Sequence, residues 1–391
     1  MSDLRDLDLA EVVAAAEGAL SSAPGGAVTL SEAQVLSDGQ RRNLILRARA
    51  LADDGVARSV IIKATRSTTY DPDAETVLQT SGLAKEWVAS AYLAARAPAA
   101  SHGAALLAGA RQQGVLVFED LGADLGSLVG SLLNGGADEA ERALIAYARA
   151  LGRLHTDTAG RREGYVETFE SIFGAWRARR PPASWVERQA FNVAQKLGGD
   201  LPTEELAEIA HRLHEPGAWL ALVHGDPCPD NALVVDDRVR LIDFEFAEPS
   251  HALLDAAYWR MGFPTCWCAG RLPQGVAERV EAAYRAEIAP AMPLAADDAA
   301  YRAELAFAAA IWLFVGLDWR LDDALREDAR WGVASVRGRL LHYLEAVVDL
   351  ADAAGVLPGI ARAAEGWRRD LGARWPESEA LGLYPAFAAG V

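Results

Sequence analysis

Lysine is nearly missing from this chain. Of the 38 lysines plus arginines in 391 residues, only Lys63, Lys85 and Lys196 are lysines, which leaves 38 − 3 = 35 arginines and makes each lysine worth a question. Cysteine is as sparse. Cys228, Cys266 and Cys268 cannot make a disulfide framework, so free packing thiols in a reducing cytoplasm are expected. There is no run of eighteen apolar residues and no basic-then-apolar leader over residues 1–20, so an unsecreted, cytoplasmic protein without a membrane partner is expected. A formal charge of −17 with no clustered basic stripe would repel a phosphate backbone, which argues against nucleic acid as a partner. The chain also lacks G-x-x-x-x-G-K-[ST], and with it a P-loop.

What is present is apolar and long enough to fold twice. Apolar residues make up 51% and charged residues 24%, and at roughly 150 residues per domain the length suggests two lobes plus additions. From Ala27 to about Glu119 the sequence runs in short β-like stretches, "AVTLSEAQVL", "RRNLILRARAL", "ARSVIIKAT", "GAALLAG" and "GVLVFED", a mostly antiparallel half. Asp38-Gly39 between the first two is a hairpin signal. "SSAPGG", Ser21 to Gly26, reads as a joint after a short N-terminal helix. Beyond about Asp124, long Ala- and Leu-rich amphipathic segments dominate, interrupted once by the strand-like "ALVV" and "RVRLIDF".

Between those textures lies "LVHGDPCPDNALVV", Leu222 to Val235. Pro227 and Pro229 forbid helix and regular strand, so His224 to Asn231 is a loop shaped by its backbone. Twelve residues after Asn231 comes Asp243 in "LIDFEFAEP". A hairpin through "DDR" would bring Asp226, Asn231 and Asp243 to one end. A carboxylate, an amide oxygen and a second carboxylate are hard ligands suited to Mg²⁺, with one carboxylate left to orient a hydroxyl.

"HGDPCPDN" followed by "LIDFEFA" resembles the catalytic and metal-binding loops of the aminoglycoside phosphotransferase and choline kinase superfamily. "VIIKAT" resembles its nucleotide-binding strand, "AKEWVASAYL" the helix carrying the lysine's glutamate partner, and "LVFEDLG" the hinge. The likeness spans roughly Ala27 to Met261. It implies an α+β, bilobal, protein-kinase-like fold with an antiparallel N-terminal lobe over residues 1–118, a hinge at 119–124 and a helical C-terminal lobe over 125–391. It implies an ATP-dependent (or other nucleoside triphosphate-dependent) phosphotransferase acting on a small-molecule hydroxyl. Asp226 would orient the hydroxyl with His224 beside it, and Asn231 and Asp243 would hold Mg²⁺. Lys63 would contact phosphates, Glu86 would steady Lys63, and Glu119 and Leu121 would meet the nucleotide at the hinge. The departures are Cys228 where a histidine is common and Asp230 where a glycine is.

Several assignments keep an alternative. Glu75 could replace Glu86 as the lysine's partner. "SDGQRRN", Ser37 to Asn43, either lends Arg41 and backbone N–H groups to phosphate or is only a hairpin turn. His155, ending a helix, reads as structural, and "CWC" lacks the spacing for zinc. Glu245, Glu248, Asp255 and Trp259, with Trp267, Trp312, Trp319, Asp318, Asp322 and Asp323, could wall in a cationic acceptor, though tryptophans at helical spacing are as readily core. Asp243 is too close to the helix-like "HALLDAAYWR" to leave a protein kinase's activation segment. A scaffold without turnover would have lost the base or a metal ligand, and none is lost. The oligomeric state is not legible.

Overall fold

The computed structural model describes residues 4–23, 26–37, 41–74, 81–96, 102–176, 184–235 and 238–388. The turn at Asp38-Gly39, Pro24-Gly25 of the proposed joint, Glu75 and the Asp236-Asp237 turn lie outside them. Two compact units emerge: Met1–Leu125 with Glu163–Arg177 and Arg240–Ala247, and Gly126–Arg162 with Ala178–Val239 and Glu248–Val391. The first unit thus takes in two segments that lie beyond residue 125 in the chain.

In the first unit, α1 (Leu9–Ser22) starts at Asp8, whose side chain accepts from Ala10 N, the cap that satisfies an orphan N–H. Five strands follow: β1 (Val28–Val35), β2 (Asn43–Ala52), β3 (Ala57–Thr65), then, beyond α2 (Gly82–Arg96), β4 (Leu106–Ala110) and β5 (Val115–Glu119). They form one antiparallel sheet of order β1-β2-β3-β5-β4. Strand alternation sorts its faces. Leu44, Leu46, Ala48, Val60, Ile62 and Ala64 share a core with Val12 and Ala16 of α1. Ile61 packs with Leu83, Leu116 and Phe118 in a separate cluster, and Lys63, two residues on, points to that same face.

The second unit is mainly helical. It runs through β6 (Gly126–Ser127), α3 (Leu128–Asn134) and α4 (Ala137–Thr158), while α5 (Arg162–Phe173) crosses to the first unit. It resumes with α6 (Ser184–Leu197), α7 (Thr203–His214), β7 (Leu220–Val223), β8 (Ala232–Val235), β9 (Arg238–Leu241), whose last two residues belong to the first unit, β10 (Glu248–His251) and α8 (Leu253–Arg260). There follow α9 (Gln274–Ile288), α10 (Asp298–Arg326), β11 (Arg330–Trp331), β12 (Ala334–Ser335), α11 (Val336–Ala354), α12 (Pro358–Arg374) and α13 (Pro385–Ala388). β7 pairs antiparallel with β10, and β8 with β6. α10 is long and apolar enough to cross a membrane, but 67% of its most apolar stretch is buried within the fold, as in a core helix.

Candidate active site

In the first unit Lys63 is 7% exposed and Glu86 4%. The Lys63 ammonium lies 2.6 Å from Glu86 Oε2 and also contacts Asp243 Oδ1. An unpaired charge at this depth would cost several kcal/mol, so the rare lysine is buried only because two carboxylates meet it. Burial pulls the ammonium's pKa down, but Asp243, Glu86 and Glu245 outweigh it and hold the group above its ordinary value, always charged. Burial pushes the Glu86 carboxyl up to about 7 against the pull of Lys63.

Asp243 adopts φ +66°, a left-handed conformation that Asp tolerates better than most residues and that marks functional positions. The strand before it is seated by close backbone approach. Leu241 N donates to His102 O at 2.8 Å, and Gly103 bridges Leu241 where a Cβ would lie 2.4 Å from Leu241 O. Glycine is therefore required at 103. Two residues past Asp243, Glu245 accepts from Arg42 at 2.6 Å and from Asn43 at 3.0 Å. That corrects its place in an acceptor wall, since both oxygens tie down the end of the Ser37 to Asn43 segment. Arg42 makes this ion pair, while Arg41 beside it is exposed.

The hinge expectation falls on a braced segment. Glu119 N donates to Ala105 O, and Ala105 N to Glu119 Oε1. Asp120 receives Arg47, Ser59 and Gly122 N. Burial alone would raise its carboxyl, but these donors hold it below the usual carboxylate range. Leu121 is half-buried between Asp120 and Gly122, so its backbone is held without being part of a strand.

The second unit holds the Pro-rich loop. Gly225 takes φ +78°, and Pro229–Asn231 form one 3₁₀ turn. Tyr147 donates its hydroxyl to Pro227 O at 2.5 Å, and Asn231 Nδ2 donates to Asp226 O at 3.0 Å. Asp226 Oδ1 accepts from Thr265 Oγ1 at 2.7 Å. An amide oxygen such as that of Asn231 and a carboxylate such as that of Asp243 are hard donors of the kind Mg²⁺ takes. They belong to different units.

Three further expectations are corrected here. Asp255 is fully buried. It accepts from His224 N at 2.6 Å, Gly225 N at 3.0 Å and His155 Nε2 at 3.0 Å. It therefore anchors the loop and cannot face an acceptor. Trp259, 2% exposed, sits edge-on to Tyr147 and Tyr284 in the core. His224 is fully buried, so its place is in the loop's foundation and not at the reacting hydroxyl. Glu248 is exposed at the start of β10, opposite Val223. His155 lies at the hub of this network, its Nδ1 2.7 Å from the Tyr284 hydroxyl, a position set by Asp255 more than by the helix dipole. Sequence reasoning missed Thr265, Tyr258 and Tyr147, which carry no motif and reach the loop from 80 residues or fewer away in chain but from different helices and turns.

The cysteines are also corrected. Cys228 and Cys266 are joined as a disulfide closing a separation of 38 residues, and Cys268 is free and buried. The argument from thiols to a reducing compartment fails for this pair. Refolding with a dithiol that keeps both sulfurs reduced is expected to lower unfolding stability by about 2–4 kcal/mol, the usual worth of such a crosslink. Urea unfolding with and without the dithiol checks it, and superimposable curves would mean the crosslink adds nothing.

One unit with a five-stranded antiparallel sheet carrying a buried lysine paired with a helix glutamate, and a second, mainly helical unit carrying an Asp-Pro-x-Pro-x-Asn loop, define an α+β protein of kinase-like fold. The model of the phosphotransferase enzyme family APH matches residues 83–294, more than half of the chain. The chain belongs to that family and is a phosphotransferase. No curated protein matches the sequence. Among solved structures it is similar to a choline/ethanolamine kinase family protein from Mesorhizobium loti, at 16% identity over 92% of this chain and 99% of that one, TM-score 0.42. It is also similar to a choline kinase from Cryptosporidium parvum Iowa II, at 13% identity over 84% and 92%, TM-score 0.48. A third is the choline kinase LicA from Streptococcus pneumoniae, at 13% over 82% and 94%, TM-score 0.42.

Proposed function

We propose that the protein transfers the terminal phosphoryl group of MgATP, or of another nucleoside triphosphate, to a hydroxyl of a small molecule. The observation that carries this reading is the buried Lys63, held by Glu86 and Asp243 within a member of a phosphotransferase family. Phosphoryl transfer asks a protein mainly for positioning and for positive charge around the transferred group. Lys63 would present fixed charge toward the phosphates, and Asn231 and Asp243 would hold the Mg²⁺ that supplies the rest. Residues 1–118 serve the nucleotide, the 119–124 segment its base through the backbone at Glu119 and Leu121, and 125–391 the acceptor. Asp226 orients the acceptor hydroxyl and takes its proton late.

The acceptor is argued only to this class. Glu245, Asp255 and Trp259 are committed elsewhere, and Asp318, Asp322 and Asp323 pair with Asn192, Lys196 and Arg326. These residues therefore lend no support to an amine-bearing acceptor. The ten residues from Asp243 to the start of α8 at Leu253 leave no room for a peptide-docking activation segment. MgATP is expected to raise the melting temperature of the wild type, and ATP with a chelator to raise it far less. No shift with either would remove the nucleotide from this reading.

A further inference from the structure

We propose that Thr265 is a positioning residue for phosphoryl transfer: its hydroxyl, backed by that of Tyr258, donates to Asp226 Oδ1 and fixes the rotation of the carboxylate. The inference rests on the base role given to Asp226 above.

Proton counting sets the direction of this relay. Thr265 has one hydroxyl proton and gives it to Asp226 at 2.7 Å. The 2.9 Å contact between Thr265 Oγ1 and the Tyr258 hydroxyl must then run from Tyr258 to Thr265, and linked donors of this kind polarise one another. Tyr258 also stands 3.4 Å from Asp226 Oδ1 and from Gly225 O, too far to replace Thr265. Burial and the nearby charge of Asp226 push its phenol well above the ordinary value, so it remains a donor. Cys228 Sγ lies 3.2 Å from the same oxygen, but in a disulfide it has no proton to give. Thr265 is thus a short hydroxyl donor on Asp226 Oδ1.

The segment around Thr265 is pinned at every residue. Pro264 O accepts from the Tyr343 hydroxyl at 2.8 Å. Cys266 is covalently tied to Cys228 of the loop, and its carbonyl accepts from the buried Arg339 at 2.5 Å. Trp267 O accepts from Arg339 and from Val333 N, and its indole N–H donates to Asp230 at 2.8 Å. A hydroxyl that merely needed a partner would not require its backbone to be held on both sides. This one is delivered to a fixed point two residues from the crosslinked Cys228.

The test compares Thr265→Val, which keeps the branched shape without the hydroxyl, with Thr265→Ser, which keeps the hydroxyl. MgATP hydrolysis with water as acceptor reads the transfer, and calorimetric titration with MgATP reads nucleotide affinity separately. Thr265→Val should slow phosphate release about tenfold to a hundredfold with MgATP affinity unchanged, and Thr265→Ser should restore the rate. Added to Asp226→Asn, Thr265→Val should cost nothing further, because its effect passes through that carboxylate. An unslowed Thr265→Val, a Thr265→Ser variant as impaired as Thr265→Val, or a further loss in the double variant would overturn the assignment. Wild-type hydrolysis by Asp226→Asn would instead overturn the base role itself.

Discussion

Asp226→Asn is expected to bind MgATP within a few-fold of the wild type while phosphoryl transfer to the acceptor falls by about two to four orders of magnitude, the usual worth of a positioned acid or base. The transition state is loose and asks little of the nucleophile until late, so loss of the base should not disturb the nucleotide. An asparagine can still accept from Thr265, which keeps the loop's shape while removing the basic oxygen pair. Asp243→Asn should differ. It removes a charge from the proposed metal site and from one of the two carboxylates that meet Lys63, so magnesium-dependent nucleotide binding should fall along with turnover. Isothermal titration with MgATP, set beside single-turnover transfer, separates the two. Identical phenotypes would refute separate base and metal roles.

Lys63→Met should abolish most MgATP binding and also destabilise the protein, by about 3–5 kcal/mol, the cost of leaving a buried ionised partner alone. The sequence by itself suggests a milder outcome, since methionine fits the packed stem, but Glu86 is nearly as buried as the lysine. The sign with pH follows from Glu86. Its folded pKa is raised, so its contribution is favourable below the unfolded value and is lost as pH rises through the folded one. Without Lys63 that pKa rises further, so the stability deficit of the variant should be flat at lower pH and grow as pH rises above about 7, where Glu86 of the wild type ionises and that of the variant resists. Lys63→Met/Glu86→Gln should recover most of the stability and none of the nucleotide binding. Denaturation at several pH values checks this. A deficit independent of pH, or unrelieved by Glu86→Gln, would mean that the lysine's charge is not what the fold depends on.

The parts of the molecule legible in sequence are those encoded by neighbours in the chain. "ARSVIIKAT" occupies β3 from end to end because alternation places Val60, Ile62 and Ala64 on one face and Lys63 on the other. "TEELAEIAHRLH" is α7 for the analogous helical reason. The loop from His224 to Asn231 announced itself through two prolines. What sequence could not show are partnerships made across long separations. Asp255 looked like one acidic residue among many, yet it is joined to His155 100 residues away. Glu245 is claimed by Arg42 and Asn43 from more than 200 residues upstream. Cys228 and Cys266 share no spacing rule that would pair them, and two segments of the first unit return from far along the chain where no local signal marks the crossing.

The central claim is that this chain moves a phosphoryl group from a nucleoside triphosphate to a hydroxyl on a small molecule. The most direct measurement incubates the wild type and Asp226→Asn with Mg²⁺ and γ-labelled ATP against a panel of aminoglycosides, macrolides, choline-like amines and sugars. Products are followed by transfer of label and by the mass of one added phosphate. The expected result is labelled, phosphorylated product from at least one panel member with the wild type and nearly none with Asp226→Asn. Label appearing equally with both proteins, or wild-type consumption of ATP that never yields a phosphorylated acceptor, would contradict it.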